Sequence, residues 1–261
     1  KDYSPANGIL NSPWVGFKYF TQFFNSVQFG TTMMNTLKIS IYSILVGFPL
    51  PILLALLCNQ LRAGKFKKVF QVTTYLPHFI STMVMCGMII LFLSPNSGLI
   101  ANIFKSLGWT MPNLLSKPES FAGVYVWSDV WQHIGWDSII YLAALSAIDP
   151  TYYEAATMDG ASRMQKILNI DLPLLLPTAM ILLILRAGSL LSIGFEKVLL
   201  LQNPLNLAGS EVISTYVYKV GMLNFQYSYS TAIGLFNTVV NLIILLSVNW
   251  FSKRYTKTGL F

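Results

Sequence analysis

The chain has 261 residues, of which 54% are hydrophobic and only 10% are charged. A soluble domain carries about 25% charged residues, so this composition excludes an ordinary soluble protein and indicates a membrane protein. The formal net charge of +7 therefore indicates sidedness in a membrane rather than affinity for nucleic acid. Cys58 and Cys86 lie in apolar runs, which predicts buried free thiols, and no group of residues has metal-ligand spacing.

A membrane-spanning helix needs about 20 mostly apolar residues. Five segments meet this requirement: Leu37–Cys58, Tyr75–Leu93, Phe121–Ala147, Pro177–Leu201 and Thr231–Phe251. The third contains ionisable residues, but its second half is strongly apolar and its first half is rich in aromatic residues. The predicted fold class is therefore all-α, a polytopic transmembrane helix bundle with five spans.

Basic residues predict the orientation of these spans. The turn Gln60–Val69 carries four positive charges and no acidic residue. Lys and Arg also occur in the loop Asp149–Asp171 and in the tail Lys253–Phe261. The positive-inside rule places all three segments in the cytoplasm. The N-terminal segment is then outside, and because the sequence starts at Lys1 without a signal peptide, we expect a sixth span before it.

The loop after the third span carries the signals of two short helices. Asp149 suits an N-cap, and Pro150 suits the first helical position. Gly160 can adopt the left-handed conformation that ends a helix. A second helix is predicted from Ser162 to a bend before Pro173. We therefore expect two helices joined at a glycine corner and projecting into the cytoplasm.

The same loop contains a spaced motif. Glu154-Ala155-Ala156 is followed by Gly160 and then by Ile170 and Leu172-Pro173. This pattern resembles the EAA loop of ABC importer permeases. The resemblance implies one transmembrane domain over residues 1–261, with residues 149–177 as a coupling loop that docks on an ATP-hydrolysing partner. The residues that it assigns to this role are Tyr153, Glu154, Ala155, Ala156, Met158, Asp159, Gly160 and Ala161.

Two further segments narrow the resemblance. Ile134-Gly135-Trp136 and Gly194-Phe195-Glu196 are similar to segments of the LplB-like oligosaccharide branch of sugar permeases. That branch implies the type I ABC importer permease fold, a bacterial inner (plasma) membrane location, a second non-identical permease, two ATPase subunits and an extracytoplasmic solute-binding protein. It also implies a transport subunit rather than an enzyme. The sequence has no Gly-x4-Gly-Lys-[Ser/Thr] loop, so we expect no cofactor in this chain, with ATP and magnesium bound by the partner ATPase subunits.

Ionisable residues at membrane depth predict a functional site. Asp129, His133 and Asp137 are spaced by four residues, so they share one face of the third span. Helical rise puts Asp137 and Arg186 at similar depths, about 14–18 Å from the cytoplasmic ends of their spans, where they could meet. Aromatic rings with carboxylates and amides suit a sugar. The predicted substrate pathway comprises Trp127, Trp131, His133, Trp136, Asp137, Arg186, Asn237 and Asn241.

Structural roles also stay open for these residues. Trp127 and Trp131 could belong to an interfacial aromatic belt. Asp137 and Arg186 could form an ion pair between spans, and the two asparagines of the last span could hold helices together. The substrate assignment therefore depends on which of these side chains already form hydrogen bonds or ion pairs within the protein.

Alternative functions also stay open. The chain could be a permease of the same superfamily for a non-sugar solute, such as an amino acid, or it could be a passive channel. An integral-membrane enzyme could use Asp129, His133 and Asp137 as acid–base groups. Neither an enzyme nor a channel needs a loop that docks on an ATPase.

Overall fold

A computed structural model describes residues 1–6, 8–62, 64–256 and 259–260. These residues form helices, short turns and loops, with no β-strand among them, so the predicted all-α class is confirmed. Lys257, in the predicted cytoplasmic tail, lies outside the described residues. The α-helices in chain order are α1 (Gly8–Asn11), α2 (Lys18–Phe24), α3 (Val27–Gly47), α4 (Pro49–Gln60), α5 (Lys65–Tyr75), α6 (Thr82–Phe92), α7 (Leu99–Ser106), α8 (Pro118–Ser146), α9 (Pro150–Met158), α10 (Arg163–Lys166), α11 (Leu172–Ala187), α12 (Phe195–Leu201), α13 (Leu207–Ser210), α14 (Ile213–Tyr218) and α15 (Tyr227–Thr256).

The chain divides into two compact units, each with its own apolar core. The first unit comprises Lys1–Ile41, Thr82–Tyr125 and Ser189–Ile244, and the second comprises Tyr42–Ser81, Val126–Gly188 and Leu245–Phe261. In the first unit the core is aromatic. The ring of Phe23 is buried, and its centroid lies 5.1 Å from that of Phe29 and 5.8 Å from that of Phe236, both in edge-on geometry. Such edge-to-face pairs stabilise the core beyond the contribution of the apolar area that they bury.

The core of the second unit joins α4, α8 and α11. Ala55 on α4 and Ala179 on α11 are both buried in it, and small residues of this kind allow helices to approach closely. Tyr141 of α8 and Leu175 of α11 fill the space between them. Cys58 is also buried in this core as a free thiol, as the sequence predicts.

Three helices of the described residues are long and apolar enough to cross a membrane. They are Val27–Gln60, Arg163–Ala187 and Tyr227–Arg254. A bent pair, Lys65–Phe79 with Thr82–Phe92, could supply a fourth. The third predicted span, Phe121–Ala147, corresponds to the 29-residue helix α8, which is not among these candidate spans. The chain is thus a multi-pass membrane protein.

The first predicted span, Leu37–Cys58, lies within Val27–Gln60 and has an irregularity in its helical hydrogen bonding between α3 and α4. The irregularity falls at Phe48, and Pro49 and Pro51 follow it. Proline has no N–H, so Pro51 cannot donate the helical hydrogen bond that the carbonyl of Gly47 would otherwise receive. The chain passes from one helix to the next at this point, and the freed carbonyl needs another donor in the membrane.

The second predicted span, Tyr75–Leu93, is wrong as one continuous helix. A 3-10 turn, Leu76–Phe79, leads to extended backbone at Ile80, and the helices on either side meet at 98°. Pro77 within this turn removes a backbone donor. The side-chain amide of Gln132 on α8 donates a 2.8 Å hydrogen bond to the carbonyl of Ile80, which satisfies the backbone at the bend.

The fourth predicted span, Pro177–Leu201, is wrong at its end, because the helix that contains Pro177 stops at Ala187. This helix starts at Arg163, within the predicted cytoplasmic loop, and passes through a π-helical turn at Ile167–Asp171. No bend precedes Pro173, because the wider π turn bonds the N–H of Leu172 to the carbonyl of Ile167 and absorbs the irregularity without breaking the helix.

Candidate functional site

The polar residues of α8 form a contiguous face in the second unit. Nδ1 of His133 lies 3.5 Å from Oδ1 of Asp129 and 3.0 Å from the backbone oxygen of the same residue. Asp137 follows one turn later on the same face. All three side chains are about one-third exposed. Lipid would not solvate these groups, so this face requires a protein partner or a water-filled space.

Asp137 and Arg186 do meet, as their predicted depths suggest. Nη2 of Arg186 lies 3.2 Å from Oδ2 of Asp137, and Nη1 donates a 2.6 Å hydrogen bond to the carbonyl of Gly47. This carbonyl is the one that Pro51 leaves without a helical donor. Arg186 therefore links α11 to α8 and to the break between α3 and α4, which limits its freedom to bind substrate.

Trp136 packs against the bend before α6. The ring of His78 stacks on it, with parallel planes and centroids 4.3 Å apart, and Phe79 meets its edge at 5.7 Å. The centroid of His133 is 5.4 Å from that of His78. One face of Trp136 is thus covered by protein, and only its remaining surface is available to a ligand. His78 was missed at the sequence level because its proximity to α8 depends on the bend.

Trp127 and Trp131 are the more accessible aromatic residues of this helix, about half exposed. The indole N–H of Trp127 donates a 2.8 Å hydrogen bond to the hydroxyl of Tyr42. The rings of Trp127 and Trp131 therefore both leave aromatic surface that a sugar face could contact.

A very small cavity, about 10 Å³, lies between the polar face of α8 and the helix break. A space of this size holds about one water molecule. Its lining comprises Gly47, Pro51, Asp129, Val130, His133, Ile134, Asp137 and Arg186. A sugar ring does not fit in it, so any sugar contact with these residues must be made on their exposed side.

The two asparagines of α15 have different surroundings in the first unit. Asn241 accepts a 2.9 Å hydrogen bond from the N–H of Leu191 and donates one of 3.0 Å to Ser192. Its amide therefore satisfies the loop after α11 and serves to hold this segment in place. Asn237 has a buried side-chain oxygen without a hydrogen-bond partner in the part of the chain that the structure describes, so its acceptor is available to a further group.

Helix α9, in the predicted coupling loop, is capped at both ends as its sequence predicts. Asp149 accepts a 2.9 Å hydrogen bond from the N–H of Thr151, and this bond lowers the pKa of the Asp149 carboxyl. At the other end Gly160 has φ of +76°, and the N–H of Ala161 bonds to the carbonyl of Ala156 at 2.8 Å. This pattern is a Schellman cap, which requires a left-handed residue at the glycine position.

The two faces of α9 differ in exposure. Met158 is 89% exposed, and Tyr152, Glu154 and Ala155 are exposed as well. Tyr153 and Ala156 are only half-buried and lie on the side of the helix away from Met158. After Gly160 the chain turns into α10, where Ser162 and Gln165 form a capping box. The loop therefore presents one open helical face.

These features are typical of a transport permease, and comparison with known proteins decides the family. Residues 47–257 match the family described as "Binding-protein-dependent transport system inner membrane component". The chain belongs to this family. The permease is therefore a transport component that works with a solute-binding protein and not an enzyme, and the alternative that gave Asp129, His133 and Asp137 acid–base roles is not supported.

Individual relatives are similar over the whole chain. The permease is 40% identical over 261 residues to Protein LplB of Bacillus subtilis (strain 168), covering 100% of this chain and 82% of that protein. It is also 40% identical to the polygalacturonan/rhamnogalacturonan transport system permease protein YteP of the same organism, covering 100% and 81%. A chain of a bacterial alginate ABC transporter, solved in complex with an alginate pentasaccharide-bound periplasmic protein, matches with a TM-score of 0.92 and 43% identity, over 94% of this chain and 85% of that chain.

Arg186 provides a test of this site. Arg186→Leu leaves the Asp137 carboxylate and the Gly47 carbonyl without their guanidinium partner at membrane depth. We expect a loss of about 1–3 kcal/mol in unfolding free energy, because a partly exposed ion pair contributes less than a fully buried one. Thermal unfolding of the purified protein in detergent would measure the loss. The exposed Arg163→Leu is the matched control, and equal melting temperatures for both variants would contradict the structural role of Arg186.

Proposed function

We propose that this permease forms the translocation pathway of an ATP-driven importer for an oligosaccharide, which an extracytoplasmic solute-binding protein delivers. The observation that carries the proposal is the 43% identity, over 94% of this chain, to a permease chain of an alginate transporter with a TM-score of 0.92. A relative that is 40% identical transports polygalacturonan or rhamnogalacturonan. Alginate is an acidic polysaccharide, so oligosaccharides of acidic sugars are the first substrates to test.

The chemistry of α8 supports a sugar substrate. Trp131 offers an accessible aromatic face, on which the C–H surface of a sugar ring can pack. Asp129 and His133 add hydrogen-bonding groups on the partly exposed polar face. Because lipid cannot satisfy these groups, we infer that this face of α8 lines the pathway at the contact with a second permease subunit. Trp127, Trp136, Asp137 and Arg186 of the same unit complete this part of the proposed pathway. Asn237 and Asn241, in the first unit, stay predicted pathway residues.

The proposed topology has five spans in this chain, a sixth before Lys1 and both ends of the intact protein in the cytoplasm of a bacterial cell. The inner membrane is the proposed location, with residues 1–261 as one transmembrane domain. The bent pair of α5 and α6 and the polar helix α8 then act as spans in addition to the three apolar helices. The basic turn at Gln60–Val69 supports this orientation.

Residues 149–177 are the proposed coupling loop, which binds one of two ATPase subunits. The open face of α9, with Tyr152, Glu154, Ala155 and Met158, would enter a surface groove of that subunit. Helix-in-groove recognition uses exposed apolar anchors of this kind, and Met158 is the most exposed. ATP and magnesium would be bound by the ATPase subunits, and the second permease would be homologous but not identical.

The topology can be tested by cysteine labelling. Cys58 and Cys86 are almost fully buried, so an added cysteine should dominate the reaction with a membrane-impermeant maleimide. Leu10→Cys should react in intact cells, because the N-terminal segment is expected outside. Phe66→Cys should react only after permeabilisation. Reaction of Phe66→Cys in intact cells would contradict the proposed orientation.

The substrate pathway can be tested with Trp131→Ala in the reconstituted transporter. Loss of a stacking contact of about 1 kcal/mol should reduce uptake of alginate or galacturonate oligosaccharides about fivefold. Trp250→Ala on α15 is the matched control, because Trp250 is similarly exposed but packs against Arg254. Equal uptake by the two variants, both at the wild-type rate, would remove Trp131 from the pathway. Transport of a non-sugar solute alone would support the alternative substrate class.

Gly160→Val tests the coupling loop. A β-branched side chain at φ of +76° is strained, so the corner after α9 should shift and misdirect the helix. We expect normal membrane insertion but loss of substrate-stimulated ATP hydrolysis, and Glu154→Lys should act similarly through reversed charge. Gly108→Val is the control, because Gly108 has the same φ outside this loop. Full stimulation in both loop variants would contradict the coupling assignment.

A further inference from the structure

Asp171 is a fully buried carboxylate, with 0% of its surface exposed, and the coupling motif does not account for it. It lies at the end of the π-helical turn Ile167–Asp171, where the coupling loop becomes the membrane helix α11. Burial of a carboxylate is costly unless donors satisfy its oxygens. The partners of Asp171 therefore show which parts of the fold depend on it.

Two segments outside its own helix supply those donors. The hydroxyl of Tyr153, on the inward face of the coupling helix α9, donates to Oδ1 of Asp171. The side-chain amide of Gln60, at the end of α4, lies 3.3 Å from Oδ2. Asn59 also hydrogen-bonds the Tyr153 hydroxyl. One carboxylate thus joins α9, α4 and α11.

The hydroxyl of Tyr153 is held as a donor. Burial raises the pKa of Tyr153 well above its usual range, and the hydrogen bond to Asp171 raises it further. The phenol therefore stays protonated at physiological pH. Its hydrogen bond to Asp171 therefore joins α9 directly to the start of α11.

The π turn contributes to this arrangement. The N–H of Leu172 bonds to the carbonyl of Ile167, five residues earlier, which adds one residue to the turn. Such single π turns often occur at functional positions. Asp171 is buried here, whereas Leu168 and Leu172 of the same segment are exposed. The wider turn therefore presents the carboxylate to α9 and α4 without ending the helix.

We propose that Asp171 is the positioning residue that transmits movement of the coupling helix to the membrane spans. The proposal rests on the proposed function, in which an ATPase subunit moves α9. With the Tyr153–Asp171–Gln60 bridge intact, displacement of α9 moves α4 and α11 together. Without the bridge, α9 can tilt on its flanking turns at Asp149 and Gly160 without moving α4 and α11.

The test uses the complete transporter in nanodiscs, with its partner subunits and binding protein and with alginate or galacturonate oligosaccharides as probes. The readout is the ratio of substrate-stimulated to basal ATP hydrolysis. This ratio is normalised within each assembled complex, so a loss of yield or stability alone does not change it. We expect Asp171→Ala to lower the ratio about tenfold while ATPase subunits and basal hydrolysis are retained. Asp171→Asn, which keeps an acceptor for Tyr153, should restore part of it.

A double-mutant cycle tests whether Tyr153 and Asp171 act through the same contact rather than through separate structural effects. Tyr153→Phe should lower the ratio, and adding it to Asp171→Ala should have little further effect because both remove the same contact. Tyr229→Phe, at a buried tyrosine of the first unit that also hydrogen-bonds through its hydroxyl, is the matched control and should behave as wild type. Should Asp171→Ala not accumulate, Asp171→Asn and Tyr153→Phe still complete the comparison.

The outcomes are distinct. A wild-type stimulation ratio in both Asp171→Asn and Tyr153→Phe, or additive effects in the cycle, overturns the bridge while leaving the importer assignment intact. Release of the ATPase subunits by Asp171→Ala also overturns it, because a positioning residue should not control docking. A wild-type chain that captures no ATPase subunit overturns both the bridge and the proposed function.

Discussion

The carbonyl oxygen of Gly47 accepts a hydrogen bond from Arg186 because Pro51, four residues later, has no N–H to donate. In a membrane no water replaces the missing donor, so a break in a span is stable only where another part of the protein supplies a polar group. The same solution recurs at the bend near Ile80, where Gln132 donates, and at Leu191, where Asn241 accepts. Side chains from other helices thus make each break possible.

These breaks explain why polar residues occur in the spans. Arg186 donates to the Gly47 carbonyl through Nη1 and pairs with Asp137 through Nη2. One side chain therefore makes both the backbone contact and the ion pair. Among the residues of the proposed pathway, Arg186 and Asp137 also have this structural role, whereas Trp127, Trp131 and the Asp129–His133 pair keep exposed surface. We therefore infer that the latter residues are the better candidates for contact with a sugar.

The two faces of α9, in the proposed coupling loop, also differ in whether their side chains are held by the fold. The outer face of α9 is open and suited to a partner, whereas its inner face carries Tyr153, which is tied to the buried Asp171. The Schellman cap at Gly160 fixes where the helix ends, and the π turn before Leu172 fixes how the loop enters the membrane helix. In the proposed mechanism, docking and transmission therefore depend on different residues of one short helix.

The sequence alone determined the features that depend on local chemistry. Apolar composition indicated a membrane helix bundle. Asp149 and Gly160 set the two ends of α9 through contacts within a few positions along the chain. The EAA spacing indicated the permease family through its resemblance to the motif of that family. Only the tertiary structure decided the rest. The bend at Ile80, the loop at Leu191 and the burial of Asp171 involve donors and acceptors that are distant in sequence, and hydropathy carries no information about such partners.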